Sequence, residues 1–125
     1  MRYTLAMIIF MLPVQYAMAG HHEQNAVEAD PGHYSVEFEN DVLRVVRIKY
    51  GPGEASTMHA HDANCVVFLS GGAMTMGLPD GTTEPAPANN PGEVNCSDAV
   101  VHLPTAGDSG TEVIMVELKG RAKIE

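Results

Sequence analysis

The sequence predicts an all-β domain, an antiparallel sandwich or barrel of many short strands, and three observations favour this fold. Short runs rich in Val, Ile, Phe and Thr recur from residue 33 to residue 119. Clusters of Gly, Pro, Asn and Asp separate these runs at close intervals. No convincing amphipathic helix is apparent after residue 19. Many short strands at this spacing are typical of sandwiches and barrels.

The first half of the domain gives three predicted strands. Tyr34–Phe38 alternates apolar and polar residues, and Glu39–Asp41 is a turn. Val42–Tyr50 is a longer strand rich in Val and Ile, and the Gly-Pro-Gly sequence at 51–53 breaks it. Thr57–His61 is the next short strand.

The second half continues the pattern with strands of different exposure. Cys65–Leu69 is a continuous apolar run, which predicts a buried strand. Ala73–Leu78 follows, and Pro79–Gly81 predicts a hairpin turn. Thr82–Pro87 returns, and its two prolines restrict it to a sheet edge. The remaining elements are the strand Glu93–Ser97, a bend before His102–Pro104, a polar loop at Thr105–Gly110 and the strand Thr111–Lys119.

The N-terminal residues have the pattern of a secretory signal peptide. Met1-Arg2 is a positive start, Leu5–Val14 is an apolar run and Ala17–Ala19 is a small-x-small cleavage site. The apolar run is too short to span a bilayer, which requires about 20 residues. We therefore predict residues 1–19 to be a signal peptide, and the mature protein to be periplasmic or secreted and free of the membrane.

The mature chain is predicted to have three parts. Residues 20–32 lack a hydrophobic period and are predicted to be a flexible arm, 33–120 to be the folded domain and 121–125 to be a tail. The chain has 16 acidic and 7 basic residues and a net charge of -9. Such a chain is repelled by nucleic acid and anionic lipid, so neither is an expected partner. A cationic residue of the strand 42–50 that faced a cavity would favour an acidic substrate.

Two histidines indicate a metal site. His59 and His61 are two residues apart on a predicted strand, so their side chains lie on the same side of the sheet. Imidazole is the commonest protein ligand for metals near neutral pH. If that side of the strand lines a cavity, the two histidines belong to one metal site; on a surface strand they would simply be solvated.

The residues around these histidines match a known motif. Gly53, His59, His61, Cys65 and Gly72 have the spacing of the first motif of the cupin superfamily. The sequence resembles that motif at every spacing, except that Cys65 stands where cupins usually carry Glu.

A second motif is similar but less complete. Gly92–His102 resembles the second cupin motif, in which a strand begins at Gly and a Pro-x-Gly bend leads to a third histidine. Asp98 stands at the Pro position and Val100 at the Gly position, and Ala106 replaces the Asn that often follows. The resemblance covers residues 34–119. It implies a cupin-type double-stranded β-helix, or jelly-roll barrel, of the RmlC-like kind, with a small-molecule ligand or substrate and pairing of two copies through edge strands.

The resemblance also implies a metal centre. Cupins of this kind hold Fe, Mn, Ni, Zn or Cu, so a divalent transition metal is the expected cofactor. Carried over by position, His59, His61 and His102 are the predicted ligands, and Cys65 is the fourth. Three states of Cys65 remain open: a thiolate ligand that favours Zn or Cu, a neutral buried thiol, or one half of a disulfide with Cys96.

Three functions are consistent with this sequence. The first is an enzyme, a dioxygenase or isomerase by resemblance, that acts on a small molecule inside the barrel. The second is an exported cupin that binds a metal or small ligand without turnover. The third is a structural remnant without metal. The fold does not decide among them.

Overall fold

Nine strands in two antiparallel sheets form the domain, in a computed structural model that describes residues 24–124. The five-stranded sheet has the order β1-β2-β9-β4-β7, and the four-stranded sheet has the order β3-β8-β5-β6. The predicted all-β, two-sheet architecture is confirmed. The elements are α1 (Ala26–Ala29), β1 (Tyr34–Glu39), β2 (Leu43–Tyr50), β3 (His59–His61), β4 (Asn64–Gly71), β5 (Met74–Gly77), β6 (Thr83–Ala86), β7 (Val94–Ser97), β8 (Val100–Ala106) and β9 (Thr111–Leu118).

The longest strands build the core. β2 and β9 pair along eight residues each, from Leu43 opposite Leu118 to Tyr50 opposite Thr111. Side chains alternate between faces with a period of two, so every second residue of β9 is buried. The core between the sheets includes Val46 and Met115, which are 0% and 2% exposed. β6 lies at the edge of its sheet, as its prolines predict.

The strand β8 differs from the prediction. Residues 100–106 form a strand where the sequence indicated a bend and a polar loop. β3 pairs with the first half of β8 and β5 pairs with the second half. Pro104 and the polar residues beside it obscure the strand pattern in the sequence, and pairing with two partners overrides that local signal.

The segment 24–32 also differs from the prediction, because it packs against the barrel instead of forming a mobile arm. Ala26 is 2% exposed, and the backbone N–H of Ala60 donates to the carbonyl of Gln24 at 2.9 Å. A helix of four residues is too short to give a recognisable hydrophobic period. The signal peptide and residues 20–23 lie outside the described residues. Within residues 24–124, no helix is long and apolar enough to span a membrane.

The two glycines that bound the first motif have different structural roles. Gly53 has φ +71°, a left-handed conformation that favours glycine. At Gly72, an added Cβ would lie 2.0 Å from the carbonyl oxygen of Gly110, so only glycine permits this approach of two backbone segments. Gly53 lies in the turn before β3, and Gly72 lies in the turn between β4 and β5.

Candidate metal centre

Three histidines from two neighbouring strands converge in the barrel. β3 carries His59 and His61, β8 carries His102, and His59 lies directly opposite His102 in the ladder. One ring nitrogen from each histidine lies within 4.8 Å of the others. His59 is 0% exposed and His61 is 6% exposed. The structure thus brings together the three histidines that the sequence singled out.

The hydrogen bonds of His59 show which of its nitrogens carries the proton. Nδ1 of His59 lies 2.8 Å from the carbonyl oxygen of Thr57, so Nδ1 carries the proton and donates it. Nε2 therefore has a lone pair, and it lies 3.0 Å from Nε2 of His61. Nε2 of His102 is buried and has no hydrogen-bond partner among the described residues. Three converging ring nitrogens, of which Nε2 of His102 has no hydrogen-bond partner among the described residues, fit a bound cation that would satisfy them together.

The electrostatics of the cluster keep the rings of His59 and His102 neutral. Burial, followed by the nearby charge of His61, lowers the pKa of His59 to about 4. Burial, followed by the charges of His61 and His59, lowers the pKa of His102 to about 3. Neutral imidazole is the form that binds a metal, so both rings are ready to coordinate at neutral pH.

A buried carboxylate that the sequence analysis did not select stands behind His61. Oε1 of Glu117 lies 3.5 Å from Nδ1 of His61, an ion-pair distance, and it also accepts the backbone N–H of Asp62 at 3.0 Å. Burial opposes ionisation of Glu117, but the contacts with His61 and Asp62 outweigh it and lower the pKa of Glu117. Nδ1 of His61 has no hydrogen bond within the described residues, but the nearby carboxylate favours the tautomer with the proton on Nδ1, which leaves Nε2 free for a metal. Every second residue of β9 is buried, and Glu117 falls at one of these positions. This alternation is the sequence feature that could have identified it.

A second group of polar side chains orients His59. Ser56 Oγ donates to Oδ2 of Asp30 at 2.6 Å and lies 3.2 Å from Nδ1 of His59. His33 Nδ1 lies 2.7 Å from the same carboxylate oxygen. Although burial opposes it, the hydrogen bonds from Ser56 and His33 lower the pKa of Asp30. The packed N-terminal segment thus supplies the carboxylate of Asp30, which reaches the predicted ligand His59 through the side chain of Ser56.

Two buried tyrosines lie on the other side of His59. The hydroxyl of Tyr50 donates to that of Tyr34 at 2.7 Å, and the hydroxyl of Tyr34 lies 3.1 Å from Nε2 of His59. Burial raises the pKa of Tyr50 to about 12 and raises that of Tyr34 further. Both hydroxyls therefore stay protonated and remain hydrogen-bond donors beside the histidines.

Cys65 is not a thiolate ligand in this structure, which corrects its place in the predicted ligand set. Its sulfur is bonded to Cys96, and the described residues include no free cysteine. The register of β4 and β7 sets the two cysteines directly opposite each other. The neighbours Asn64 and Val66 line the central cavity, so alternation turns Cys65 to the other face. Of the three states left open by the sequence, the structure contains the disulfide.

The histidine cluster opens into a cavity between the two sheets. The cavity has a volume of about 280 Å³, and His61 and His102 form part of its wall. Tyr34 and Tyr50 also reach it, and most of the remaining wall is apolar. A mainly apolar cavity with a few convergent polar groups is the usual form of a small-molecule site.

Comparisons with solved structures identify the fold. A cupin domain from Bordetella pertussis Tohama I has a TM-score of 0.61 and 19% identity, over 81% of this chain and 100% of that chain. A double-stranded β-helix protein from Klebsiella pneumoniae has a TM-score of 0.52 and 19% identity, over 74% of this chain and 82% of that chain. An RmlC-like cupin family protein from Methanocaldococcus jannaschii has a TM-score of 0.51 and 19% identity, over 68% of this chain and 79% of that chain.

These similarities confirm the predicted fold, and the chain has a cupin-type double-stranded β-helix fold. No family model and no curated protein matches the sequence. At 19% identity the likeness concerns the fold, so the function has to be argued from the site itself.

Proposed function

We propose that this protein is a metal-dependent cupin in which His59, His61 and His102 hold a divalent transition metal. The observation that carries the proposal is the convergence of three buried ring nitrogens, with Nε2 of His102 unpartnered among the described residues. Imidazole ligands suit Fe, Ni, Zn and Cu, whereas Mn prefers oxygen ligands. Because Cys65 is bonded to Cys96, no thiolate from it favours a softer metal.

We further propose that the site acts on a small molecule bound in the adjoining cavity, as a dioxygenase or an isomerase. His61 and His102 both line the cavity, so a molecule inside it would reach the metal. A metal in this position would supply Lewis acidity or, if redox-active, dioxygen chemistry. The tyrosine hydroxyls would orient the bound molecule. A cupin that binds a ligand without turnover is the alternative, and it shares the metal and the cavity.

The metal content of the purified protein tests the proposal. Untagged protein from its natural compartment should contain near one equivalent of a single metal by mass spectrometry. His59→Ala and His102→Ala should each lose this metal, because each removes one of three ligands. His33→Gln is the matched control, because His33 lies outside the cluster, and it should retain the metal. A wild type that stays metal-free after reloading with each of the five ions would contradict the proposal.

Turnover separates the enzyme from the binder. Metal-loaded protein should consume dioxygen or convert a small apolar substrate, and His102→Ala should not. Ligand binding without any turnover in the loaded wild type would favour the non-catalytic alternative.

We also propose that the protein is exported and that residues 1–19 are removed. The Cys65–Cys96 disulfide supports this proposal, because such bonds persist mainly in oxidising compartments. Mass spectrometry of the mature protein should find Gly20 at the N-terminus, in a periplasmic or secreted fraction. A cytoplasmic chain that begins at Met1 would contradict it.

A further inference from the structure

The cavity beside the histidines lacks charged side chains. Its wall includes apolar side chains from both sheets, and among the described residues none of those that line it is Asp, Glu, Lys or Arg. The cationic residues of β2 do not line this cavity. Arg44 pairs with Glu39 and Glu117 and lines a second, charged cavity on the other side of His61, and Arg47 pairs with Glu37 and Glu112. Lys49 is exposed. The condition under which a cation of this strand would favour an acidic substrate is therefore not met in the cavity that His61 and His102 share.

Apart from the two histidines, the polar groups of the cavity wall are uncharged hydroxyl and amide groups. The hydroxyl groups of Tyr34 and Tyr50 lie near His59, and the amide side chains of Asn64 and Asn95 reach the cavity from β4 and β7. Hydroxyl and amide groups can form hydrogen bonds with a ligand, but they cannot neutralise a full charge. A carboxylate or ammonium group placed among apolar side chains without a counter-charge is strongly disfavoured.

We propose that the ligand of this cavity is a small apolar molecule with a single metal-binding donor group and no second charge. The inference rests on the proposed metal site, because a divalent ion held by neutral imidazoles would be the counter-charge for one anionic donor. A metal on Nε2 of His59 would also release the hydroxyl of Tyr34 to donate to that group. The volume of about 280 Å³ limits the ligand to less than the size of a typical drug.

Two six-carbon acids test this inference in the zinc-loaded protein. Hexanoate has one carboxylate and an apolar tail, whereas adipate has the same chain with a second carboxylate at its far end. In isothermal titration calorimetry, hexanoate should bind about 10-fold or more tightly than adipate, since the second carboxylate would be desolvated without a partner. Zinc content is measured on the same samples.

A gain-of-function variant makes the test independent of loss of folding. Asn95 is exposed and lines the cavity, so Asn95→Arg places a cation at its rim. This variant should raise the affinity for adipate about 3-fold relative to the affinity for hexanoate. Val94→Arg is the matched control, because Val94 is 56% exposed, is next in the chain and does not line the cavity. It should alter neither affinity.

Each outcome is decisive. Equal affinities, or tighter binding of adipate by the wild type, would overturn the inference. Zinc retained with neither acid bound would overturn it and leave the proposed metal site intact. If zinc is not retained, the titrations are made with whichever of the other four metals is retained, and retention of none of the five would refute the proposed function and the inference with it.

Discussion

Strands β2 and β9 pair along eight consecutive residues, whereas β3, which carries two of the three histidines, pairs with β8 over only three. The five-stranded sheet is stabilised by its own ladder and by apolar burial at residues such as Val46 and Met115. β3 depends instead on groups from elsewhere in the chain. Asn25 and Gln24 pair with Ala60 on its other edge, between the two histidines.

The difference indicates that the two regions have different roles in the domain. The long strands determine whether the chain folds, and the peripheral contacts determine where the histidine nitrogens lie. Substitutions in the sheet should therefore change the free energy of unfolding, and substitutions around β3 should mainly change metal affinity. The five predictions below, from the largest expected effect to the smallest, test this separation.

Met115→Ala should produce the largest loss of stability. Met115 is 2% exposed in the centre of β9, and removing a buried methionine side chain costs about 2–5 kcal/mol. Urea unfolding measures this loss, and the variant should still bind one metal below its unfolding midpoint. Val42→Ala is the control, because Val42 is 67% exposed, and it should change stability by less than about 0.5 kcal/mol. Equal effects of both variants would contradict the core assignment.

Removal of the disulfide should destabilise the domain without releasing metal. The bond joins residues 31 positions apart and attaches the exposed strand β7 to β4, its only partner in the sheet order. Cys65→Ala/Cys96→Ala should lower the free energy of unfolding by about 2–4 kcal/mol. The metal content of the folded variant should equal that of the wild type. Loss of metal in this variant would instead support Cys65 as a ligand.

Glu117→Gln should weaken metal binding through the orientation of His61. Removal of a carboxylate that holds a ligating histidine typically costs about 10–100-fold in metal affinity. Competition with a chelator measures the affinity, and the spectrum of the Co(II)-loaded variant should change because His61 is reoriented. Glu112→Gln on the same strand is the control, since Glu112 pairs with Arg47 away from the site. Glu117 would be merely structural if both variants kept the wild-type affinity and spectrum.

The stability of the metal-free protein should fall in mild acid. The pKa values of His59 and His102 are lowered to about 4 and about 3, so below about pH 6.5 the unfolded chain binds protons that the folded chain does not. The free energy of unfolding should therefore decrease by about 2 kcal/mol or more from pH 6.5 to pH 4.5.

Denaturation at several pH values in the presence of a chelator measures this dependence. His59→Gln/His102→Gln should flatten the profile in this window, because glutamine does not titrate. The carboxylates with lowered pKa values, such as Asp30 and Glu117, change the free energy of unfolding mainly at lower pH. A wild-type profile that is already flat would show that the two rings are not held neutral by burial.

Asp30→Ala should have the smallest of these effects. Asp30 acts on His59 through Ser56, so its loss should lower metal affinity about 10-fold and leave the metal stoichiometry unchanged. Asp30→Asn retains an acceptor oxygen and should recover part of the affinity. Glu28→Ala, in the same segment but without a hydrogen bond to the site, should match the wild type. Equal affinities for Asp30→Ala and Glu28→Ala would show that the segment does not position His59.

The sequence by itself predicted the all-β fold and most of the strands, because alternation and turn residues act within a few positions of the chain. The strand β2, predicted as Val42–Tyr50 and found as Leu43–Tyr50, illustrates this local control. The same reasoning placed His59 and His61 on one face, since their spacing follows the period of a strand. The proximity of His102 came from the motif resemblance, because it lies 41 residues beyond His61 and only the pairing of β3 with β8 joins them.

The tertiary structure alone decided which side chains surround those histidines. The register of β4 against β7 pairs Cys65 with Cys96, so the thiol that occupies the motif position is turned away from the site. Glu117 and Asp30 reach the site from β9 and from the N-terminal segment, and no local pattern connects them to β3. These contacts depend on strand register and packing between distant segments, whereas a sequence pattern reports only the neighbourhood of each residue.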